Sequence, residues 1–207
     1  MYHRRFKTSS LILLFLILVV SCINPIYPRE MYLQHSATIA VALFLIYSTI
    51  KNNLSNTSFF LIVVFMIFHI IGARWIYSNT PYDQWISSLT GFEINSYFGF
   101  KRNHYDRLIH FLFGFLILIP LQEIFRRKPD IKHGSGLLLA FLSILSLSML
   151  YEVFEWMLSI VLSPDAAEAY NGQQGDYWDA QKDMALALLG ALSILFILRI
   201  SRRKRRL

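Results

Sequence analysis

Charge is scarce in this chain. Of 207 residues only 16% are Asp, Glu, Lys or Arg, against about a quarter in a soluble domain. With 55% hydrophobic and 15% aromatic residues and a mean hydropathy of +0.44, this excludes a disordered chain. It also argues against a cytosolic enzyme or a nucleic-acid reader. Cysteine is nearly absent. A single Cys22 allows no internal disulfide and no cysteine-based metal site. No phosphate loop, dinucleotide glycine fingerprint or Gly-x-Ser-x-Gly elbow is found. Internal repeats and low-complexity segments are missing too.

Long apolar runs are abundant. Six are long enough to cross a bilayer, for which about 20 residues are needed: residues 6–23, 31–50, 58–77, 106–124, 137–162 and 183–200. Backbone groups in hydrocarbon must be satisfied within the segment, so each run reads as a helix. The expectation is an all-α, polytopic membrane protein, with one integral domain over residues 1–207 and six transmembrane helices in one bundle.

Lys and Arg set the orientation. With the N-terminus in the cytoplasm, 14 of the 20 basic residues lie inside and 11 of the 13 acids lie toward the outer side. Trp75, Trp85, Trp156 and Trp178 share the outer level, as an interfacial belt does. Both termini are therefore expected in the cytoplasm of a bacterial cell. The run Arg202-Arg203-Lys204-Arg205-Arg206 follows a span, so it reads as an anchor on anionic lipid and not as a nucleic-acid patch. Arg4-Arg5, a short apolar core and Val19-Val20-Ser21-Cys22 also have the form of a lipoprotein signal. Cleavage there would leave the orientation of the other spans unchanged.

Two long connections face outward. In residues 78–105, Thr80 reads as an N-cap, Pro81 as the first helical position, Asp83 as a first-turn acid and Gly91 as a stop. A short interfacial helix is expected there. Residues 163–182 are acidic.

Ionisable groups within the spans carry the functional signal, because each costs about 2.5–3.5 kcal/mol or more in a membrane. His69 lies about 12 Å below the outer end of its helix. Asp106 and His110 are spaced i,i+4; Glu152 and Glu155 are spaced i,i+3; Asp176, Asp179 and Asp183 fall at i, i+3 and i+7. The first two sets each share a helix face, and the third does so if its helix begins as early as Asp176. Below Asp183 that face carries Ala187, Gly190 and Ala191, which allow close helix approach. All these polar groups sit in the outer half.

Asp106, His110, Glu152, Glu155 and Asp179 are candidate acid–base groups. Arg74, Arg102 and Arg107, with Trp156 and Trp178, suit a phosphorylated headgroup. His69, Asp176 and Asp183 are candidate ligands for a divalent cation. Six acids against three arginines leave up to three carboxylates without a fixed cation. In a low dielectric such groups must protonate, bind a cation or reach water. The alternative is a structural network, with pairs such as Arg74–Glu152 or Arg107–Asp106–Asp179 fastening the helices. A proton or ion pathway is a third reading, but no polar residues continue to the inner face. His3, His35 and His133 read as solvated, His104 as interfacial, and Glu123 as the partner of Arg126 or Arg127.

Residues 102–111 (Arg-Asn-His-Tyr-Asp-Arg-Leu-Ile-His-Phe) and 172–184 (Gly-Gln-Gln-Gly-Asp-Tyr-Trp-Asp-Ala-Gln-Lys-Asp-Met), with residues 69–73, 77–81 and 152–156, resemble the YjdF-type family of bacterial inner-membrane proteins. The order of these motifs covers most of the chain. The resemblance implies a multipass inner-membrane protein and supplies no reaction. The spacing of Asp106 and His110, then Glu152, then Asp176, Asp179 and Asp183 is also distantly similar to VanZ-like membrane proteins. That similarity would imply envelope glycolipid or glycopeptide processes. The leading expectation is an outer-half site that binds or processes a phospholipid or a lipid-linked envelope precursor, with no nucleic acid as partner.

The division of basic residues yields a direct test. A reporter active only in the periplasm should give signal when fused at Ser163 and none at Leu207. Signal at Leu207 would overturn the orientation.

Overall fold

In the computed structural model, residues 2–204 are described; Arg205 and Arg206 of the basic run lie outside them, as do the side chains of His3 and His133. Among the described residues there are nine α-helices and no strand: α1 (Tyr2–Ser21), α2 (Pro28–Lys51), α3 (Asn56–Arg74), α4 (Tyr82–Thr90), α5 (Ile94–Phe98), α6 (Tyr105–Arg126), α7 (His133–Val161), α8 (Pro164–Asn171) and α9 (Asp179–Lys204). Helices α2, α3, α6, α7 and α9 are long and apolar enough to cross a membrane. The remaining expected span falls on α1, which is 20 residues long and carries Arg4, Arg5 and Lys7 near its start. The outer surface of the bundle is apolar, with Phe15, Leu43, Ile160 and Phe196 all largely exposed. A water-soluble fold would cover such side chains, and lipid solvates them.

Helix α6 is the hub. It packs on α9, α3 and α7, while α1 and α2 pack on α3. One apolar cluster joins α1, α2 and α3 through Leu14, Leu45, Phe59, Ile62 and Met66. A second joins α6, α7 and α9 through Leu118, Ala140, Ile144, Ala187 and Ala191. The closest crossing is α6 on α9. A Cβ added to Gly114 would run into the Ala187 carbonyl, and one added to Gly190 would run into the Phe111 carbonyl. The small face expected on the last span is therefore matched by a glycine on α6, so the two backbones touch.

The end of the bundle carrying Lys51, Arg126 and Lys128 is basic. There Lys7, 1% exposed, donates to Asn52 Oδ1 at 2.7 Å and to the Leu54 carbonyl at 2.6 Å. Asn52 ends α2 in the left-handed conformation (φ 49°). Ser55 caps α3 and donates to Glu123 through its amide (2.7 Å) and hydroxyl (2.6 Å). Glu123 pairs with Arg127, one of its two expected partners, at 2.6 Å.

The opposite, acidic end departs from expectation in three places. Helix α3 stops at Arg74, and Ile76 and Tyr77 take left-handed φ values of 45° and 54°. This turn folds Tyr77 back over Gly72, where a Cβ would strike the tyrosine ring. Helix α4 starts after Pro81, which caps it without a side-chain hydrogen bond; Thr80 is buried and offers its carbonyl to Asn103 Nδ2 at 2.8 Å. Gly91 does end α4, at φ 72°. His35 is not solvated. It is 4% exposed on α2, 3.1 Å from Ser21 Oγ and 3.2 Å from Thr38 Oγ1.

Overpacking the glycine crossing should separate α6 from α9. Gly114→Ala and Gly190→Ala are each expected to cost about 1–3 kcal/mol, read as a lowered thermal midpoint in detergent. Ser193→Ala, on an exposed part of α9, should leave the midpoint unchanged.

Candidate functional site

The ionisable residues of the acidic end form two layers. The upper layer lies where the segment before α6 meets the segment before α9. Arg102 Nη1 donates to Asp179 Oδ1 at 2.5 Å, and its Nη2 to Asp179 Oδ2 at 3.3 Å and the Gly172 carbonyl at 3.2 Å. Arg107 forms a close ion pair with Asp176 and reaches Asp179 Oδ1 at 3.3 Å. Lys182 donates to both oxygens of Asp176, at 2.8 and 2.6 Å. The Lys182 ammonium, then the Trp178 amide and Arg107, hold the Asp176 carboxyl well below the usual range. Gln174 and Asn103 tie the same segments together through Asn103 N to Gln174 Oε1 (2.8 Å) and Gln174 Nε2 to the Asn103 carbonyl (3.1 Å).

The lower layer is different in kind. Asp106 and His110 come from α6, Glu152 from α7 and Asp183 from α9, and each is 8% exposed or less. His110 Nε2 stands 3.8 Å from Asp106 Oδ1 and 3.5 Å from Glu152 Oε1. One ligand atom from each of Asp106, His110 and Asp183 can be chosen so that all lie within 4.8 Å of one another. Among the described residues no lysine or arginine forms an ion pair with Asp106, Glu152 or Asp183. Glu152 Oε1 and Asp183 Oδ1 are buried and make no hydrogen bond.

A cavity of about 270 Å³ adjoins this layer. Its polar wall is Asp106, His110, His69, Ser148, Tyr77 and Tyr151; its apolar wall is Ala37, Phe65, Ile109, Phe113 and Leu147. Tyr77 Oη lies 2.6 Å from His69 Nδ1. His69 Nε2 and Ser148 Oγ are buried without partners.

The structure thus brings Asp106, His110 and His69 around one space, with Glu152 and Asp183 next to Asp106 and His110 in the lower layer. It places Arg102, Arg107, Asp176 and Asp179 above that space, paired with one another. Arg74 lies elsewhere. It donates to the Ser21 and Ile23 carbonyls at 2.7 and 2.6 Å, closing the C-terminal end of α1, and it does not pair with Glu152. Glu155 is half-buried beside Tyr151, and its carbonyl accepts from Asn171 Nδ2 at 3.2 Å. Trp156 and Trp178 are 64% and 58% exposed and turn outward. Of the three expected cation ligands only Asp183 faces the lower layer, since Asp176 belongs to the arginine layer and His69 is held by Tyr77. Tyr77 and Tyr151 escaped sequence reasoning. A tyrosine near a membrane surface reads as an interfacial anchor, and nothing in the sequence signals the turn that carries Tyr77 inward.

The family described as Predicted membrane protein (DUF2238) matches residues 6–204. The chain belongs to this family. It is also similar to the inner membrane protein YjdF of Escherichia coli (strain K12), at 30% identity over 202 residues, which are 96% of this chain and 91% of the relative. No solved structure matches the chain. Membership of DUF2238, with five helices able to span, makes the chain a multipass membrane protein.

Breaking the upper layer should destabilise the DUF2238 fold. Arg102→Met leaves Asp179 buried without its main partner and is expected to cost about 3–5 kcal/mol, seen as lost accumulation in membranes. Adding Asp179→Leu should restore accumulation in part, because both charges are then gone.

Proposed function

We propose that the chain is a six-span inner-membrane protein, one integral domain with both ends cytoplasmic, that binds or processes a phosphorylated or lipid-linked envelope molecule at its periplasmic half. The first span is α1, and α4 lies along the outer interface. The inner-membrane location of the relative YjdF and the charge division support this placement.

One observation carries the functional reading: the cavity is amphipathic and sits at membrane depth. Aromatic and aliphatic walls from α2, α3, α6 and α7 end on a set of acids and imidazoles. Apolar walls with a few convergent polar groups are the usual make-up of a ligand site. Helices α2 and α7 flank the cavity, and Tyr151 to Gln34 at 3.4 Å is the hydrogen bond between them. An acyl or prenyl chain enters between these two helices from the bilayer, and the hydroxyl groups of its head meet His69, His110 and Asp106, the acid accepting from them. The arginine layer above is a fastener. Its acids already have partners, so the structural alternative holds for that layer and not for the one beneath it.

Lipids retained by the protein after purification from its own membranes provide the test. Wild type should be enriched in an anionic or lipid-linked species relative to the bulk membrane, by mass spectrometry. Ala37→Trp, which fills the cavity from α2, should lose that enrichment while keeping its helicity. Identical lipid profiles in the two would overturn the reading. Glu152→Gln should accumulate like wild type, since no cation is orphaned by its removal; degradation of this variant would make the lower layer a fastener as well.

A further inference from the structure

We propose that Asp106, His110 and Asp183 form a binding site for one divalent transition-metal ion, with Glu152 as a fourth group beside it. The inference rests on the lower layer being a site, and adds an ion to it. The three side chains come from two helices, α6 and α9, on the acidic side of their closest crossing, and the fourth from α7. Nitrogen and carboxylate ligands sit about 2.0–2.2 Å from such an ion, so ligand atoms around it lie roughly 3–4 Å apart. His110 Nε2 meets that spacing to Asp106 Oδ1 (3.8 Å) and to Glu152 Oε1 (3.5 Å), and the Asp183 atom lies within the same 4.8 Å group.

Proximity of acids alone would not identify a site. The independent observation is the state of their oxygens. Asp183 is 2% exposed and its Oδ1 makes no hydrogen bond; Glu152 is 7% exposed and its Oε1 makes none. Buried carboxylate oxygens in proteins are satisfied as a rule. The arginines that could have satisfied them, Arg102 and Arg107, are committed to Asp176 and Asp179. A cation held by Asp106, His110 and Asp183 meets the Asp183 deficit, that of Glu152 too where it joins as the fourth ligand, and the carboxylates of Asp106 and Asp183 balance its charge. The imidazole nitrogen among the ligands favours Zn²⁺ or Mn²⁺ over Mg²⁺ or Ca²⁺, which prefer all-oxygen shells.

The full chain, without a polyhistidine tag, is purified in detergent, stripped with chelator and titrated separately with Zn²⁺ and Mn²⁺. Calorimetry and elemental analysis should find one ion per chain for at least one metal, with a rise in the thermal midpoint. Asp183→Asn and His110→Ala should each weaken binding more than tenfold, and Asp183→Glu should retain it better than Asp183→Asn. Circular dichroism confirms that each variant is folded. If one variant fails to fold, the other carries the comparison. Wild-type protein that takes up no Zn²⁺ or Mn²⁺, or variants that bind as wild type does, would overturn the proposal. Ala37→Trp separates this from the lipid reading: it should still bind the metal while losing the lipid, and metal binding without any lipid enrichment in wild type would leave the ion site standing alone.

Discussion

The close crossing of α6 and α9, with Gly114 against the backbone of Ala187 and Ala191 and Gly190 against that of Phe111 and Phe115, is the constraint on which the acidic end depends. Two backbones meet there with no side chain between them. Each further turn toward the acidic end then brings α6 and α9 residues face to face. Asp106 and His110 meet Asp183, and above them Arg107 meets Asp179. A wider crossing would leave the same residues facing each other across a gap that lipid or water must fill. Close packing in the membrane, and not charge attraction, sets the distances at which the charges interact.

Much of this was legible from residue spacing. Apolar runs locate the long helices because a bilayer demands satisfied backbone and apolar side chains over a known thickness. The i,i+4 spacings of Asp106 with His110 and of Asp179 with Asp183 fix depth and face, whereas Asp176 lies before the start of α9 and shares no helix face with them. Spacing cannot say which partner stands opposite. Arg102 and Arg107 divide the acids into a neutralised layer and an uncompensated one, and that division depends on how the 163–182 connection folds back over α6. Arg74 illustrates the same limit. Its depth matched the acids, but its long side chain reaches sideways to the carbonyls that α1 leaves unpaired.

Two misreadings have a different cause. His35 lies in an apolar run that reads as a helix, on a buried face with Met31, Gln34 and Thr38; helical spacing predicts that burial, and a solvated histidine there conflicts with it. Tyr77 was placed at the end of α3 because Trp75, Ile76 and Tyr77 continue its apolar pattern. Left-handed backbone at Ile76 and Tyr77 carries a local penalty that glycine would avoid. It persists here because the turn seats the phenol on His69 and the ring on Gly72. Local propensity points one way and tertiary contacts the other, so no local signal could have announced it.

The site draws its members from widely separated parts of the chain, and this has a consequence for biosynthesis. During translation Asp106, His110 and Glu152 enter the membrane before Asp179 and Asp183 have been made. Until α9 inserts, Arg102 and Arg107 lack both of the acids that later hold them. The half-built bundle must therefore keep three ionisable groups at membrane depth without Asp183 and without the packing surface of α9. The close packing of α6 on α9 and both layers of charged groups are therefore completed only when the last helix is in place.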